Sequence, residues 1–322
     1  MSQSTPWFAV RQALTKKQVT TLTLLSFFLP ILLWSLVSYV PFLWHPKVEI
    51  VEPGSITWLQ PGMLVEKSVF AEQQQLAAEQ QAALPEGVGA NPIYLPAPHE
   101  VARAFYTAFT TEPTRSSEQW LHESLWHSIQ IIFWGFTLSS LIGVPIGVLC
   151  GTYVAISRLQ EPFIEFFRYL PAPAFGALAV AILGIHDGPK IAIIFIGTFF
   201  QQVLIIANTT RKLDVALLEA ALTLGAKKFQ LLFRVVIPGI LPDLYRDQRI
   251  LLGWAWTYLI VAELIGTSSG ITWFITQQAR YKNFDNVYAA IIMIGIIGVV
   301  TDILLAKLGK RLFPWEKEQV KA

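Results

Sequence analysis

The chain has 322 residues, 53% of them hydrophobic and only 14% charged, with a formal charge of +2 and a mean hydropathy of +0.49. Soluble domains carry about 25% charge, so this is the composition of an integral membrane protein. No basic block is dense enough to engage nucleic acid, and a single cysteine, Cys150, provides neither an intrachain disulfide nor a thiolate metal site.

In chain order, Arg11, Lys16 and Lys17 precede an uncharged run over residues 22–44. At helical rise this run covers about 30 Å, the thickness of a bilayer's hydrocarbon core, so it is predicted to be the first span. A cleaved signal would have a shorter apolar region and a small-residue cleavage site, whereas Trp44, His45 and Pro46 follow here. The composition then turns polar. Pro53, Gly54, Pro61 and Gly62 mark turns, and the Gln-rich stretch 70–84 favours helix, so this region reads as an extramembrane insert. Val101, Ala104, Phe105, Ala108 and Phe109 then share one helical face, and residues 120–127 lead into the next apolar run. His122, Glu123 and His127 resemble a zinc-protease motif with the second His one residue late. That displacement rotates it about 140° from the first, so no metal site is expected and the histidines read as satisfied interfacial residues.

Residues 128–157 carry no charge and contain Gly143, Gly147 and Gly151, a small-xxx-small pattern that predicts a span with a close-packing face. Further spans are predicted over 169–185, interrupted early by Pro171 and Pro173, over 191–210, over 250–266, and over 287–306, which holds a single Asp302. The fold class is therefore an all-α integral membrane protein with about six transmembrane helices. The cluster 245–249, YRDQR, reads as a solvated charged face.

Between the fourth and fifth of these spans lies the polar and basic stretch LLEAALTLGAKKFQLLFRVVIPGILP, residues 217–242. Its first half is built of strong helix formers, and Gly225 is suited to close a helix in the left-handed conformation. Phe229, Leu232, Phe233 and Val236 recur at helical spacing until Pro238, Gly239 and Pro242, which are expected to break the run. The prediction is helix, turn, helix, breaker.

This stretch resembles the EAA loop, EAA-x3-G-x9-[IV]-x-[LI]-P, of ATP-binding-cassette (ABC) importer permeases. Residues 95–315 are similar to the branch that serves nitrate, sulfonate, taurine and bicarbonate, through LPAPHEVARAF, RYLPAPA at 168–174, Asn208-Thr209 and GWAWTYLIVAE ending at Glu263. The chain departs from that pattern at Gly176-Ala177 and at Gly270-Ile271-Thr272, and its insert over 46–95 is long. The resemblance implies a type I ABC importer-like permease. Glu219, Ala220, Ala221, Gly225, Lys227, Lys228 and Pro238 would then couple to ABC ATPase subunits, with Lys227, Lys228 and Arg234 meeting acidic groups. It also implies a homodimer, a periplasmic solute-binding protein as partner, and small anions as substrates. The chain has no GxxxxGK[ST] phosphate loop, so no cofactor is expected on it, and ATP and Mg would sit on the partner ATPase.

Lys and Arg are concentrated at the N-terminus, the Arg158 turn, the 211–249 loop and the C-terminal tail, so both termini are expected to be cytoplasmic, and the resemblance implies a bacterial inner membrane. The expected organisation is a cytoplasmic segment 1–21, a span 22–44, an extracytoplasmic insert 45–127, a permease core 128–306 containing the coupling loop 211–249, and a cytoplasmic tail 307–322. Arg168, Asn208 and Glu263 are the candidates for the translocation path or gate. Glu263, at the outer end of an apolar run, is expected to close an outer gate through amides or hydroxyls near Thr267 and Ser268. It is not expected to pair with Arg168, which should differ from it in depth by about 10 Å or more. A secondary transporter driven by an ion gradient is the alternative, and it would lack the EAA-like loop. A membrane enzyme would need a nucleophile and base constellation that the sequence does not show.

Overall fold

The computed structural model describes residues 14–40, 44–113, 119–265 and 269–315. The chain divides into two compact units, one built from residues up to 111 together with 278–289, the other from 112–277 and the chain beyond 290.

In the first unit, helix α1 (Lys16–Tyr39) opens on a capping box. The Thr15 hydroxyl accepts from the amide of Gln18, and the Gln18 side chain accepts from the amide of Thr15 at 2.9 Å. At about 36 Å the helix is long enough to cross a bilayer. The insert that follows contains a feature the sequence reading did not anticipate. Strands β1 (Lys47–Glu52), β2 (Leu64–Glu66) and β3 (Glu86–Ala90) form an antiparallel sheet in the order β2-β1-β3. Alternation in KVEIVE turns Val48 and Ile50 inward, where they pack with Leu59, Val65 and Phe70. Helix α2 (Lys67–Glu79) realises the expected Gln-rich helix, and it ends before Gln81, whose φ is 50°. Helix α3 (Pro98–Thr110) begins with proline in its first turn and with Glu100 accepting from the amide of Ala97 at 2.7 Å. It buries Val101 and Ala104 against Ala289.

The second unit is organised by α4 (Leu121–Thr152) and α7 (Asp187–Arg211). The glycines of α4 let the two helices approach at backbone distance, as the small-xxx-small pattern predicts. A Cβ at Gly147 would lie 2.8 Å from the carbonyl of Val203 and from Ile206 Cβ, and one at Gly151 would lie 2.4 Å from Thr210 Cβ. Gly135, against Ile194, extends the same stripe toward the start of α4.

The expected span 169–185 is not a single helix. Helix α5 (Val154–Arg168) stops, a 3-10 turn (Ala172–Phe175) intervenes, and α6 (Gly176–Leu183) leaves at 87° to α5. Pro171 and Pro173 cannot donate to a helical ladder across that corner, and α6 at about 12 Å is too short to cross alone. The coupling stretch is followed by α10 (Ile237–Leu264), a continuous helix in which Pro238 occupies the first turn and Pro242 lies inside. Neither proline ends the run, contrary to the sequence expectation. A π turn over Leu232–Val236 runs into it without a break, with the amide of Ile237 donating to the carbonyl of Leu232, and Pro238 follows where that turn shifts the helical hydrogen-bond register. The apolar run expected as the fifth span is the second half of α10, about 22 Å from 250 to 264. Helices α11 (Ile271–Arg280) and α12 (Phe284–Leu312) complete the chain. Among the described residues α1, α4, α7 and α12 are each long and apolar enough to cross a membrane, and the bent pair would make a fifth crossing.

The YRDQR cluster is more than a solvated face. Arg249 donates to Asp302 at 2.8 Å, the Tyr245 hydroxyl donates to the carbonyl of Leu305 at 2.8 Å, and the Thr209 hydroxyl donates to Asp247 at 2.5 Å. These bonds tie the charged half of α10 to α12 and α7 and give Asp302 its partner.

Candidate coupling hairpin and translocation path

The coupling hairpin is built as its residues dictate. Helix α8 (Val215–Thr223) starts at Asp214, whose carboxylate accepts from the amide of Ala216 at 2.9 Å. It ends at Leu224, and Gly225 follows with φ +81° and open space where a side chain would be. The amide of Ala226 donates back to the carbonyl of Ala221 at 3.0 Å and that of Gly225 to Leu222 at 2.9 Å, the closing pattern of a helix capped by a left-handed glycine. Helix α9 (Lys228–Leu231) then leads through the π turn into α10. Glu219, Ala220, Lys227, Lys228 and Pro238 are exposed, and Ala221 is half-buried. No residue of α8 is buried, and Leu224 (88%) and Phe229 (71%) stand open to solvent with Leu217, Leu222 and Phe233. Beneath the hairpin, Leu232, Val236 and Ile240 anchor it against Val148 and Ile206.

Two polar clasps join the long helices. In the first, Gln202, fully buried, accepts from the Ser139 hydroxyl at 2.6 Å and donates to Ser140 at 2.9 Å and to Gln248 at 2.6 Å. This ties α4, α7 and α10 together. The second clasp contains Glu263, which is 2% exposed. One carboxyl oxygen accepts from the Ser128 hydroxyl at 2.5 Å, and the other accepts from the amide of Thr272 at 2.8 Å. Ser128 in turn accepts from the amide of Ile271 at 2.9 Å. Glu263 therefore sits at the N-terminus of α11, where free amides and the helix dipole favour an acidic group. Gly270 makes room for it: its φ is +104°, and a Cβ there would come within 2.2 Å of the Glu263 carboxyl. Thr267 and Ser268 lie outside the described residues, and the partners found are the same kinds of group, an amide and a hydroxyl, on other residues.

Close in sequence to this clasp, buried Lys190 donates to Ser269 Oγ at 3.0 Å and pairs with Asp187 at 3.2 Å, which also meets His127 at 3.0 Å. His127 is thus only partly satisfied, since its Nδ1 is buried without a partner. Sequence reasoning read residues 185–190 as a loop and passed over Lys190. The lysine three residues after an aspartate was the available signal.

The remaining candidates separate. Asn208 accepts from Arg211 at 3.1 Å, and Arg211 also donates to Ser157 at 3.0 Å and pairs with Glu161. Asn208 is thereby part of an ion-pair cluster joining α5 to α7. Arg168 bonds neither of these groups nor Glu263. It lines a cavity of about 160 Å³ with Gln201, Trp254 and Tyr258.

The model of the family described as binding-protein-dependent transport system inner membrane component matches residues 143–314, more than half of the chain. The chain belongs to this family. The permease is 34% identical over 190 residues to a probable ABC transporter permease protein of Brucella abortus (strain 2308), covering 59% of this chain and 76% of that protein. It is 29% identical over 228 residues to the taurine transport system permease protein TauC of Escherichia coli (strain K12), covering 71% and 82%. Its fold matches the inward-facing MetNI methionine ABC transporter with a TM-score of 0.52 at 20% identity, over 62% of this chain and 97% of that one. The permease is a multi-pass membrane subunit of an ABC importer, and the matched segment contains the coupling hairpin, Gln202 and Gln248 of the first clasp, Glu263 of the second, and the α5–α6 corner.

Proposed function

We propose that this permease carries a small oxyanion, of the sulfonate, taurine, nitrate or bicarbonate kind, inward through a path at the interface of two copies. A solute-binding protein delivers the solute on the outer side, where the 46–95 insert stands. An ATPase, holding ATP and Mg, docks on the cytoplasmic hairpin. Both termini are cytoplasmic on this reading. The observation that carries it is the hairpin: α8 buries nothing, and its leucines and Phe229 are open, rimmed by Lys227, Lys228 and Arg234. An exposed apolar patch with a polar rim marks a protein interaction site. The similarity to a taurine permease supports the substrate class.

On this reading ATP binding closes the ATPase pair and moves the hairpin as a lever. The π turn and α10 carry that motion to Gln248 and Glu263, which lie along one helix and belong to the two clasps. The first clasp ties α4 and α7 to the middle of α10 and the second ties α4 and α11 to its C-terminal end, so one displacement can loosen one clasp while the other holds.

The test is uptake into vesicles holding the permease and its ATPase, with binding protein and labelled taurine, methanesulfonate, nitrate or bicarbonate outside. Accumulation of at least one that requires ATP inside and ignores ion gradients is expected. Uptake driven by an ion gradient without ATP would establish a secondary transporter instead.

A further inference from the structure

The corner between α5 and the 3-10 turn places a guanidinium where the fold gives it no counter-charge. Arg168 is the last residue of α5; its guanidinium donates to the Tyr169 hydroxyl at 2.9 Å and lies 4.8 Å from that ring. Among the described residues it has no carboxylate within ion-pair reach, whereas Arg211, Arg246 and Arg249 pair with Glu161, Asp243 and Asp302. Arg168 borders the 160 Å³ cavity with Phe167, Gly197, Gln201, Trp254 and Tyr258. Gly197 is what admits the Tyr258 ring, since a Cβ there would lie 2.7 Å from it.

The lining is rich in hydrogen-bond donors and carries one positive charge. Guanidinium, indole N–H, side-chain amide and phenol all donate hydrogen bonds, and no carboxylate borders the space. Trp254 and Tyr258 set aromatic rings beside the guanidinium, which remains exposed and so open to an incoming anion. The location is equally specific. Gly197 and Gln201 are near the middle of α7, a helix long and apolar enough to cross a membrane, and Trp254 and Tyr258 stand between Gln248 and Glu263 on α10, so the cavity lies between the two clasps in sequence along α10. Broken backbone and a charged side chain within a membrane-crossing segment are tolerated where they line a cavity. Its volume is that of about five waters, below the roughly 300 Å³ of drug-sized pockets, which fits an anionic head group and little more.

We propose that this cavity is a transient site for a small oxyanion, with Arg168 engaging two of its oxygens and Gln201, Trp254 and Tyr258 donating to the rest. The proposal rests on the import reading above and assigns the site through which such an anion would pass. Phospholipid phosphate offers the same chemistry, but head groups lie at the membrane surfaces, whereas Gly197 and Gln201 of the cavity are near the middle of α7.

Equilibrium dialysis of the purified permease–ATPase complex with labelled methanesulfonate and labelled bicarbonate tests it. Wild type should bind at least one. Arg168→Gln should weaken binding about 10- to 100-fold, the range for losing a charged hydrogen-bonding partner. Arg168→Lys should recover part of the loss, because it keeps the charge without the planar fork. Arg158→Gln, earlier on the same helix and outside the cavity, should bind as wild type and controls for general damage. If the wild-type complex imports an oxyanion but Arg168→Gln binds and imports it with unchanged half-saturation, the site is wrong and the import reading stands. A complex that imports only another class of solute and binds neither anion overturns both.

Discussion

Replacing Gly225 by Val detaches the ATPase from the permease while leaving the permease in the membrane. The effect follows from backbone conformation alone, because Gly225 has φ +81° and nothing within 4 Å of the position a Cβ would take. A left-handed conformation costs an L-residue about 1–2 kcal/mol, and a β-branched side chain is the worst case. The hairpin buries no residue of α8, so little packing opposes a change at that turn, and Leu224 and Phe229 on its two sides would be re-aimed. Gly225→Asn is the matched control, since asparagine tolerates positive φ. Co-purification should show the ATPase lost with Val and largely kept with Asn. Equal recovery with both would remove the turn from the docking account.

Replacing Glu263 by Gln opens the outer clasp. The two carboxyl oxygens face two donors, the Ser128 hydroxyl and the amide of Thr272, and an amide side chain has only one acceptor oxygen to set against them. One donor is left facing an NH2, at a cost of about 1–3 kcal/mol for a buried unsatisfied group, with a further loss at the N-terminus of α11. The clasp holds α4 to α10 and to the start of α11, and on the proposed import reading, in which it is the outer gate, its release favours the outward-open arrangement. ATP hydrolysis without binding protein should rise several-fold in reconstituted vesicles, with the ATPase still bound. Hydrolysis and transport equal to wild type would make Glu263 a packing residue only.

Much of this architecture is legible in the sequence because it is written in local pattern. Gly143, Gly147 and Gly151 recur every four residues, so they face one neighbour whatever that neighbour is, and α7 proves to be it. The helix before Gly225 and the glycine turn follow from propensity and φ preference. Where two local signals compete, the sequence misleads. Pro171 and Pro173 within an apolar run were read as an interruption of a span, and they make an 87° corner. Pro238 and Pro242 suggest a break, yet the first directly follows the π turn and the second is carried inside α10. The insert's sheet has strands of three to six residues, too short for alternation to stand out from its surroundings. Pairings between distant residues are a different matter. Ser128 with Glu263, Gln202 with Gln248, and Arg249 with Asp302 depend on how the helices are arranged, and no periodicity along one chain encodes that. Gly270-Ile271-Thr272, read as a departure from the family pattern, is the turn that receives the Glu263 carboxyl.

The central claim is that the tip of the 215–236 hairpin is where the energy of ATP enters this permease. With Cys150, the chain's single and buried cysteine, replaced by Ala, a cysteine at Leu224 gives one reactive thiol at the most exposed point of the turn. A short thiol-to-amine crosslinker applied to the assembled complex should join that position to the ATPase. The yield should change when ATP is bound without hydrolysis. A complex that imports normally, but whose Leu224→Cys position crosslinks to no ATPase in either state, would contradict the account.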